Sequence, residues 1–338
     1  MTAMNGPRPK VAIIGTGGSI SAMARHSLDL LDYIDYARIL EVDELLARFP
    51  EATAGYEIVP VRFRAINSVA MTTSDWLDLD RKISDVVGAD PSIAGVVVTH
   101  GTATLEETAY FLHLVSKVDR PIVLVGAQRP PNGLSTDAAI NLVNAIRVAA
   151  SPSARNVGVL VVFNDEIQSA REVTKSANFR LHAFRTPELG ALGFVDPDGS
   201  VTMYRRPARR HAPATEFDVS GLDGLPRVDI VYAHAGADAV IIDALIRSGS
   251  KGIVLAGLPP GRPTMDQRTA MIAARRSGIT VVQSSRAGAG RVIASTRDIE
   301  DGIVAADNLN PQKARILTML SLTVTNEPSR LQRLFGEY

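Results

Sequence analysis

The chain contains no cysteine among its 338 residues, which excludes disulfides, thiolate metal sites and a thiol nucleophile. Its six histidines show neither the HExxH nor the HxxEH spacing, and the sequence predicts no metal and no organic cofactor. An excess of either charge is also missing, since Lys and Arg number 36 and Asp and Glu number 36. Nucleic acids and anionic membranes bind clustered basic residues, so neither is expected as a partner.

Long apolar runs are missing as well. Hydrophobic residues make up 46% of the chain, yet no segment approaches the roughly 18 apolar residues that a membrane span requires. The polar segment 1–10 leads directly into the first apolar run, without the apolar stretch of a signal peptide. These absences predict a cytoplasmic globular protein, and the length predicts two domains.

Short apolar runs alternate with helical patterns along the first two-thirds of the chain. This alternation is typical of an α/β fold with a doubly wound parallel sheet. The predicted strands are 10–14, 57–61, 94–98, 121–126 and 157–163, and the predicted helices are 41–49, 73–88, 104–117 and 136–150.

The alternation is interrupted by residues 206–225, which contain prolines, a glycine and a basic cluster with little periodicity. We therefore predict an N-terminal catalytic domain at 1–205, a linker at 206–225 and a smaller α/β domain at 226–338. In the smaller domain, strands are predicted at 228–232, 252–255, 279–282 and 302–304, and helices at 238–249, 265–277 and 311–324.

Two glycine turns carry small hydroxyls just after predicted buried strands. The first is 14–20 (IGTGGSI) and the second is 99–107 (THGTATLEE). In an open α/β sheet, ligands bind in the crevice beyond the carboxyl ends of the strands. The two turns therefore predict a small site around an activated Ser or Thr, although a plain strand–helix turn explains the first equally simply.

Nucleotide binding is disfavoured at the first turn. The dinucleotide fingerprint needs a third glycine where this chain has Ile20, and no Lys-Ser/Thr pair of a P-loop follows Gly18.

A hydroxyl nucleophile needs a base, and a desolvated lysine can serve. Lys175 follows the predicted strand 157–163 closely enough to return to the strand ends, although such a lysine is more commonly solvated surface. His100 is interpreted as a packed imidazole more readily than as a catalytic one. Glu106 and Glu107 are interpreted as structural, because acidic side chains stabilise the start of a helix.

Five segments carry a family pattern in a fixed order: 16–20 (TGGSI), 99–111 (THGTATLEETAYF), 125–130 (VGAQRP), 173–175 (VTK) and 309–315 (LNPQKAR). In these segments the chain resembles the bacterial-type asparaginase/glutaminase family of amidohydrolases over essentially its full length. The resemblance implies a flavodoxin-like N-terminal domain, a smaller C-terminal domain, and a homotetramer of intimate dimers in which the neighbouring chain completes each site.

The resemblance also implies roles for individual residues. Ser19 is the nucleophile, where the family usually has threonine, and Tyr33 is its lid partner, with Tyr36 as the alternative. Thr102 and Lys175 form the second catalytic pair. The implied substrate-binding positions are Thr16, Ser68, Val69, Gly101, Ala103, Arg262 and Ser295.

The departures from the family concern the partners of a substrate α-ammonium. Ala103 stands where the family has an aspartate that holds this ammonium and supports the lysine, and Val69 replaces a glutamine. Ser295 stands where the neighbouring chain offers a glutamate, with Asp298 or Glu300 as substitutes if the register differs. Arg262 falls near a family asparagine.

A buried ammonium ion needs a paired negative charge, and the residues at these positions do not supply one. The sequence therefore predicts an amidohydrolase acting on a small-molecule amide through a Ser/Thr acyl-enzyme. L-Asparagine is the family's substrate, whereas the pocket favours a carboxylate-bearing amide without an α-amino group. The alternative is a non-catalytic protein that binds or senses a small dicarboxylate.

Overall fold

The computed structural model describes residues 7–36 and 38–338, except for the side chain of Tyr36. Two compact units divide the chain between Glu216 and Phe217. This boundary falls inside the segment 206–225 that the sequence marks as a linker.

The first unit is built on a sheet that has eight strands within the described residues, in the order β12-β11-β8-β7-β6-β5-β1-β4. The strands from β4 to β7 pair in parallel, whereas β8, β11 and β12 pair antiparallel. The strands of the first unit are β1 (Lys10–Gly17), β2 (Ala22–Met23), β3 (Arg38–Ile39), β4 (Glu57–Ile66), β5 (Ile93–Thr99), β6 (Ile122–Val125), β7 (Val159–Phe163), β8 (Glu166–Ser169), β9 (Thr174–Lys175), β10 (Phe184–Arg185), β11 (Gly193–Val195) and β12 (Val201–Met203). Outside the large sheet, β2 pairs with β3 and β9 pairs with β10.

The central strands are apolar because helices cover both faces of a parallel sheet. Every residue of β6 and β7 is buried. The helices of this unit are α1 (Tyr33–Tyr36), α2 (Val42–Arg48), α3 (Thr73–Ala89), α4 (Leu105–Val115) and α5 (Ala138–Ala150), with 3₁₀ turns at Ser19–Ser21, Pro50–Thr53, Ser68–Ala70 and Pro152–Ala154.

The helix starts follow the local sequence. Thr72 caps α3 through a capping box with Asp75, directly before the start predicted for this helix at residue 73. Asp137 occupies the cap position of α5, but its carboxylate accepts hydrogen bonds from the backbone amides of Gln128 and Arg129. It therefore anchors the loop that follows β6.

The second unit has a parallel sheet in the order β13-β14-β15-β16, counted over the described residues. The predicted α/β class is therefore confirmed for both units. Its strands are β13 (Val228–Tyr232), β14 (Gly252–Gly257), β15 (Thr280–Ser285) and β16 (Val304–Ala305), and its helices are α6 (Val240–Arg247), α7 (Met265–Arg276), α8 (Thr296–Glu300), α9 (Pro311–Ser321) and α10 (Pro328–Glu337). None of the helices in the described part of the chain has both the length and the apolar character to cross a membrane.

Candidate active site

A cleft in the first unit lies at the carboxyl ends of β1 and β5. It has a volume of about 150 Å³. Its lining consists of Gly18, Ser19, Ala22, Leu30, Tyr33, Ile34, Ile39, Asn67, Ser68, Val69, Gly101, Thr102, Ala103, Gln128, Lys175, Asn178 and Phe179. The two glycine turns therefore meet in one concave site, as the strand-end rule predicts.

The first glycine turn is held tightly against the second. Gly17 and Gly18 adopt left-handed backbone angles, with φ of 89° and 80°, which a residue with a Cβ rarely adopts. The amide of Gly18 donates to the carbonyl of Ile66 at 2.9 Å. A Cβ on Gly18 would overlap the backbone of Gly101, so the close approach of the two turns requires glycine here.

We expect Gly18→Ala to destabilise the protein by about 3 kcal/mol or more, because it adds a backbone clash to an unfavourable φ. Gly190 is the matched control, since it has a φ of 75° and open space where a Cβ would lie. Gly190→Ala should cost only about 1 kcal/mol. Urea unfolding of both variants measures the difference, and equal losses would contradict the close packing of the two turns.

Ser19 presents its hydroxyl at the start of a 3₁₀ turn that follows the glycines. The Ser19 hydroxyl donates to the carbonyl oxygen of Ala127 at 2.5 Å and also shares a hydrogen bond with the Tyr33 phenol. Tyr33 is buried, and this burial raises the pKa of its phenol to about 12. Tyr33 therefore stays protonated at neutral pH and acts as a hydrogen-bonding group.

Thr102 and Lys175 form a second hydrogen-bonded pair. Lys175 Nζ donates to Thr102 Oγ1 at 2.7 Å, across a separation of 73 residues. Burial lowers the pKa of the Lys175 ammonium, and the nearby Glu106 carboxylate raises it. A lysine whose pKa is lowered by burial can act as a base toward a neighbouring hydroxyl.

His100 supports the second turn from below through a buried chain of hydrogen bonds. Trp76 Nε1 donates to Thr108 Oγ1 at 2.9 Å, Thr108 lies 3.0 Å from His100 Nε2, and His100 Nδ1 lies 2.8 Å from the carbonyl of Gly101. Burial lowers the pKa of His100 to about 4, so the imidazole is neutral. His100 is therefore the packed residue that the sequence favoured.

The wall formed by Ser68, Val69 and Ala103 is poor in charge. Ser68 Oγ accepts a long hydrogen bond of 3.3 Å from the amide of Ala103 and retains its own proton for donation. Val69 and Ala103 present only apolar side chains to the cleft. Among the described residues that line the cleft, Lys175 alone carries a charged side chain.

Other predicted site residues lie elsewhere. Thr16 is buried, and its hydroxyl donates to the carbonyl of Thr99 at 2.8 Å, which ties β1 to β5. The Tyr36 side chain falls outside the described residues, so Tyr33 is the tyrosine that the structure places in the cleft.

Arg262 and Ser295 belong to the second unit, where both contact Asp298. Ser295 caps α8 in a capping box with Asp298, and Arg262 lies 3.5 Å from the same carboxylate. Arg268 donates to Asp298 at 2.6 Å. Burial would raise the pKa of Asp298, but the hydrogen bonds from Ser295 and Arg268 hold it below its usual value. Asp298 is therefore already engaged by cations, whereas Glu300 is exposed.

Sequence reasoning missed several residues around the cleft, including two amides, an aromatic ring and a carboxylate. Gln128, Asn178 and Phe179 line it, and Glu106 approaches Lys175 from α4. Gln128 comes shortly after the apolar strand β6, and a polar residue at the end of a buried strand is a sequence signal for a binding site. The role of Glu106 depends on burial, which its sequence position does not reveal.

Both units are similar to domains of known proteins. Residues 10–209 match the model of the asparaginase N-terminal domain, and residues 227–335 match that of the glutaminase/asparaginase C-terminal domain. The chain is 39% identical to L-asparaginase 2 of Bacillus subtilis over 98% of this chain and 87% of that protein. It is 38% identical to glutaminase-asparaginase of Pseudomonas fluorescens biotype A, over 97% of this chain and 90% of that protein.

A solved structure agrees with these matches. The crystal structure of a probable cytoplasmic L-asparaginase from Campylobacter jejuni superposes with a TM-score of 0.93 at 39% identity, covering 98% of this chain and all of that one. Sequence, fold and full-length coverage therefore lead to the same result. The chain belongs to the asparaginase family, and its activity is that of an asparaginase-type amidohydrolase.

Proposed function

We propose that this amidohydrolase acts on small amides that carry a carboxylate but no α-ammonium, such as the monoamide of a dicarboxylic acid. The observation that carries this proposal is the charge of the cleft. Among the described residues that line the cleft, Lys175 is the one with a charged side chain, and positions 69 and 103 are valine and alanine.

The free energy of desolvation supports this substrate class. Transfer of an ammonium ion from water into a closed cleft costs several kcal/mol unless a carboxylate compensates. Lys175 carries either a positive charge or none, so it offers a second cation in the cleft no attraction. A substrate with hydrogen in place of the α-amino group avoids this cost and can contact Val69 and Ala103.

In the proposed reaction, Ser19 Oγ attacks the amide carbon. The C–N bond breaks, the serine proton leaves with the amide nitrogen as ammonia, and a serine ester remains. Tyr33, protonated with a pKa of about 12, stabilises the reacting Ser19 oxygen as a hydrogen-bond donor. The Ala127 carbonyl, which accepts the resting hydroxyl, keeps Ser19 aimed at the cleft.

Hydrolysis of the ester uses the second pair. Neutral Lys175 accepts the Thr102 proton at 2.7 Å while Thr102 takes one from water, and the resulting hydroxide attacks the ester carbon. The ester C–O bond to Ser19 then breaks, the Ser19 oxygen takes the proton of the newly formed carboxylic acid, and the Lys175 ammonium releases its extra proton to solvent. The Ala103 amide supports the developing oxyanion, because its 3.3 Å contact with Ser68 is long enough for a substrate oxygen to replace.

Ammonia release from a substrate panel tests the proposal. We expect succinamate, malonamate, glutaramate or maleamate to be hydrolysed with kcat/KM at least about 100-fold above that for L-asparagine, since an unpaired charge is worth about 3 kcal/mol. D-Asparagine and L-glutamine should be as poor as L-asparagine. A preference for L-asparagine would contradict the proposal and leave the assignment to the family intact.

Assembly and location stay predictions. The homotetramer is proposed on the family resemblance alone. The relatives differ in location. The Campylobacter jejuni protein is named as a probable cytoplasmic L-asparaginase, whereas a relative in Haemophilus influenzae is named as a probable periplasmic one. A cytoplasmic location is therefore proposed for this chain on its similarity to the Campylobacter jejuni protein alone.

A further inference from the structure

We propose that Glu106 is the positioning carboxylate of Lys175, taking over the support of the lysine that Ala103 cannot provide. This inference rests on the proposed role of the Thr102–Lys175 pair. Glu106 does not line the cleft but lies behind it, in the first turn of α4, with 6% of its surface exposed.

The contact between the two residues is direct. Glu106 Oε1 accepts a hydrogen bond of 3.4 Å from the backbone amide of Lys175, 69 residues away along the chain. This contact fixes the end of β9, from which the lysine side chain reaches Thr102. Helix α4 itself starts three residues after Thr102, so one short segment supplies both the hydroxyl and the carboxylate.

Two other carboxylates close to Lys175 in the sequence are engaged elsewhere. Glu172 pairs with Arg205 at 2.8 Å, and Asp165 accepts from the Asn144 amide at 2.8 Å. Glu106 is the acidic neighbour that acts on the Lys175 ammonium.

Other charged and titratable groups lie near the Glu106–Lys175 pair. Arg185 follows Phe184 on the paired strand β10, opposite Thr174. Burial raises the pKa of Glu166 near Arg185, Tyr33 titrates only at about 12, and His100 only at about 4. A change in the midpoint of an alkaline-rising pH profile therefore reports on Lys175 and Glu106.

The direction of the effect follows from charge. Lys175 acts as a base in ester hydrolysis when neutral, so kcat, where this step limits turnover, rises with pH through the pKa of Lys175. The negative charge of Glu106 stabilises the ammonium and raises that pKa. Glu106→Gln keeps an oxygen that can accept the backbone hydrogen bond and removes only the charge. We expect its midpoint to fall by about one pH unit.

The matched control is Glu107→Gln, which removes the same charge from the same first turn of α4 and so reproduces any effect on the helix dipole. Its midpoint should equal that of the wild type. Glu106→Asp keeps the charge with a shorter reach, and its midpoint should lie between those of the wild type and Glu106→Gln.

The experiment measures kcat against pH for these variants and for Lys175→Met, using the amide of the panel that the wild type hydrolyses fastest. Substantial activity in Lys175→Met would overturn the Thr102–Lys175 mechanism itself. If Lys175→Met is inactive and Glu106→Gln retains the wild-type midpoint, the positioning role of Glu106 is wrong and the mechanism stands. Should Glu106→Gln fail to fold, an unchanged midpoint in Glu106→Asp together with unchanged kcat would also overturn it.

Discussion

Replacement of Ser19 by Ala is expected to lower amide hydrolysis by about 10⁴-fold or more, the loss typical of a removed nucleophile. No other hydroxyl takes over, because Thr102 is already bonded to Lys175 at 2.7 Å. The measurement is ammonia release in the steady state. Thermal unfolding should change little, since only the hydrogen bonds to Ala127 and Tyr33, each worth about 1 kcal/mol, are lost.

The matched control for this variant is Ser19→Thr, which restores the hydroxyl and adds the methyl group usual in the family. Its turnover should stay within about tenfold of the wild type, because one methyl group changes binding by about 1 kcal/mol. Full activity in Ser19→Ala would place the nucleophile elsewhere. Loss of activity in both variants would indicate that the pocket around position 19, and not the hydroxyl, controls the rate.

Replacement of Ala103 by Asp is expected to shift substrate preference toward L-asparagine. Position 103 lines the cleft, and its amide is already held near Ser68, so a carboxylate there would face the substrate α-ammonium. The ratio of kcat/KM for L-asparagine to that for succinamate should rise by about 100-fold, because a charge pair shielded from water contributes about 3 kcal/mol of binding free energy. Ammonia release with both substrates gives this ratio.

Asn178→Asp controls for charge alone, because it adds a carboxylate to another lining position of the same cleft. Its ratio should change much less than that of Ala103→Asp. Equal changes in the two variants would mean that the net charge of the cleft, and not the group at position 103, selects the substrate. The double change with Val69→Gln should add to the effect of Ala103→Asp.

The sequence predicted the central part of the first sheet well, because buried parallel strands are apolar over their whole length. It missed β8, β11 and β12, which are short and include polar residues such as Glu166 and Thr202. It also missed α10, although Pro328 at its start and the buried Leu331, Leu334 and Phe335 form a helical pattern. Short antiparallel edge strands have no comparable periodic signal.

The site was predictable where chemistry depends on residue type and order. Ser19, Tyr33, Thr102 and Lys175 all reach one cleft, although the last is 73 residues from Thr102. Thr16 was assigned to the substrate but bonds Thr99, because the sequence does not show which way a strand side chain faces at a bulge. Glu106 was interpreted as a helix-end residue, and only the fold brings Lys175 to it.

The chain has a single tryptophan, and a series of hydrogen bonds connects it to the second glycine turn. Trp76 is stacked on Phe111 and is linked through Thr108 and His100 to the carbonyl of Gly101. The tryptophan fluorescence of the whole protein therefore originates from one buried indole, three hydrogen bonds away from the catalytic turn. A ligand that displaces this turn should therefore change the tryptophan fluorescence of the unlabelled protein, and no second tryptophan contributes to that signal.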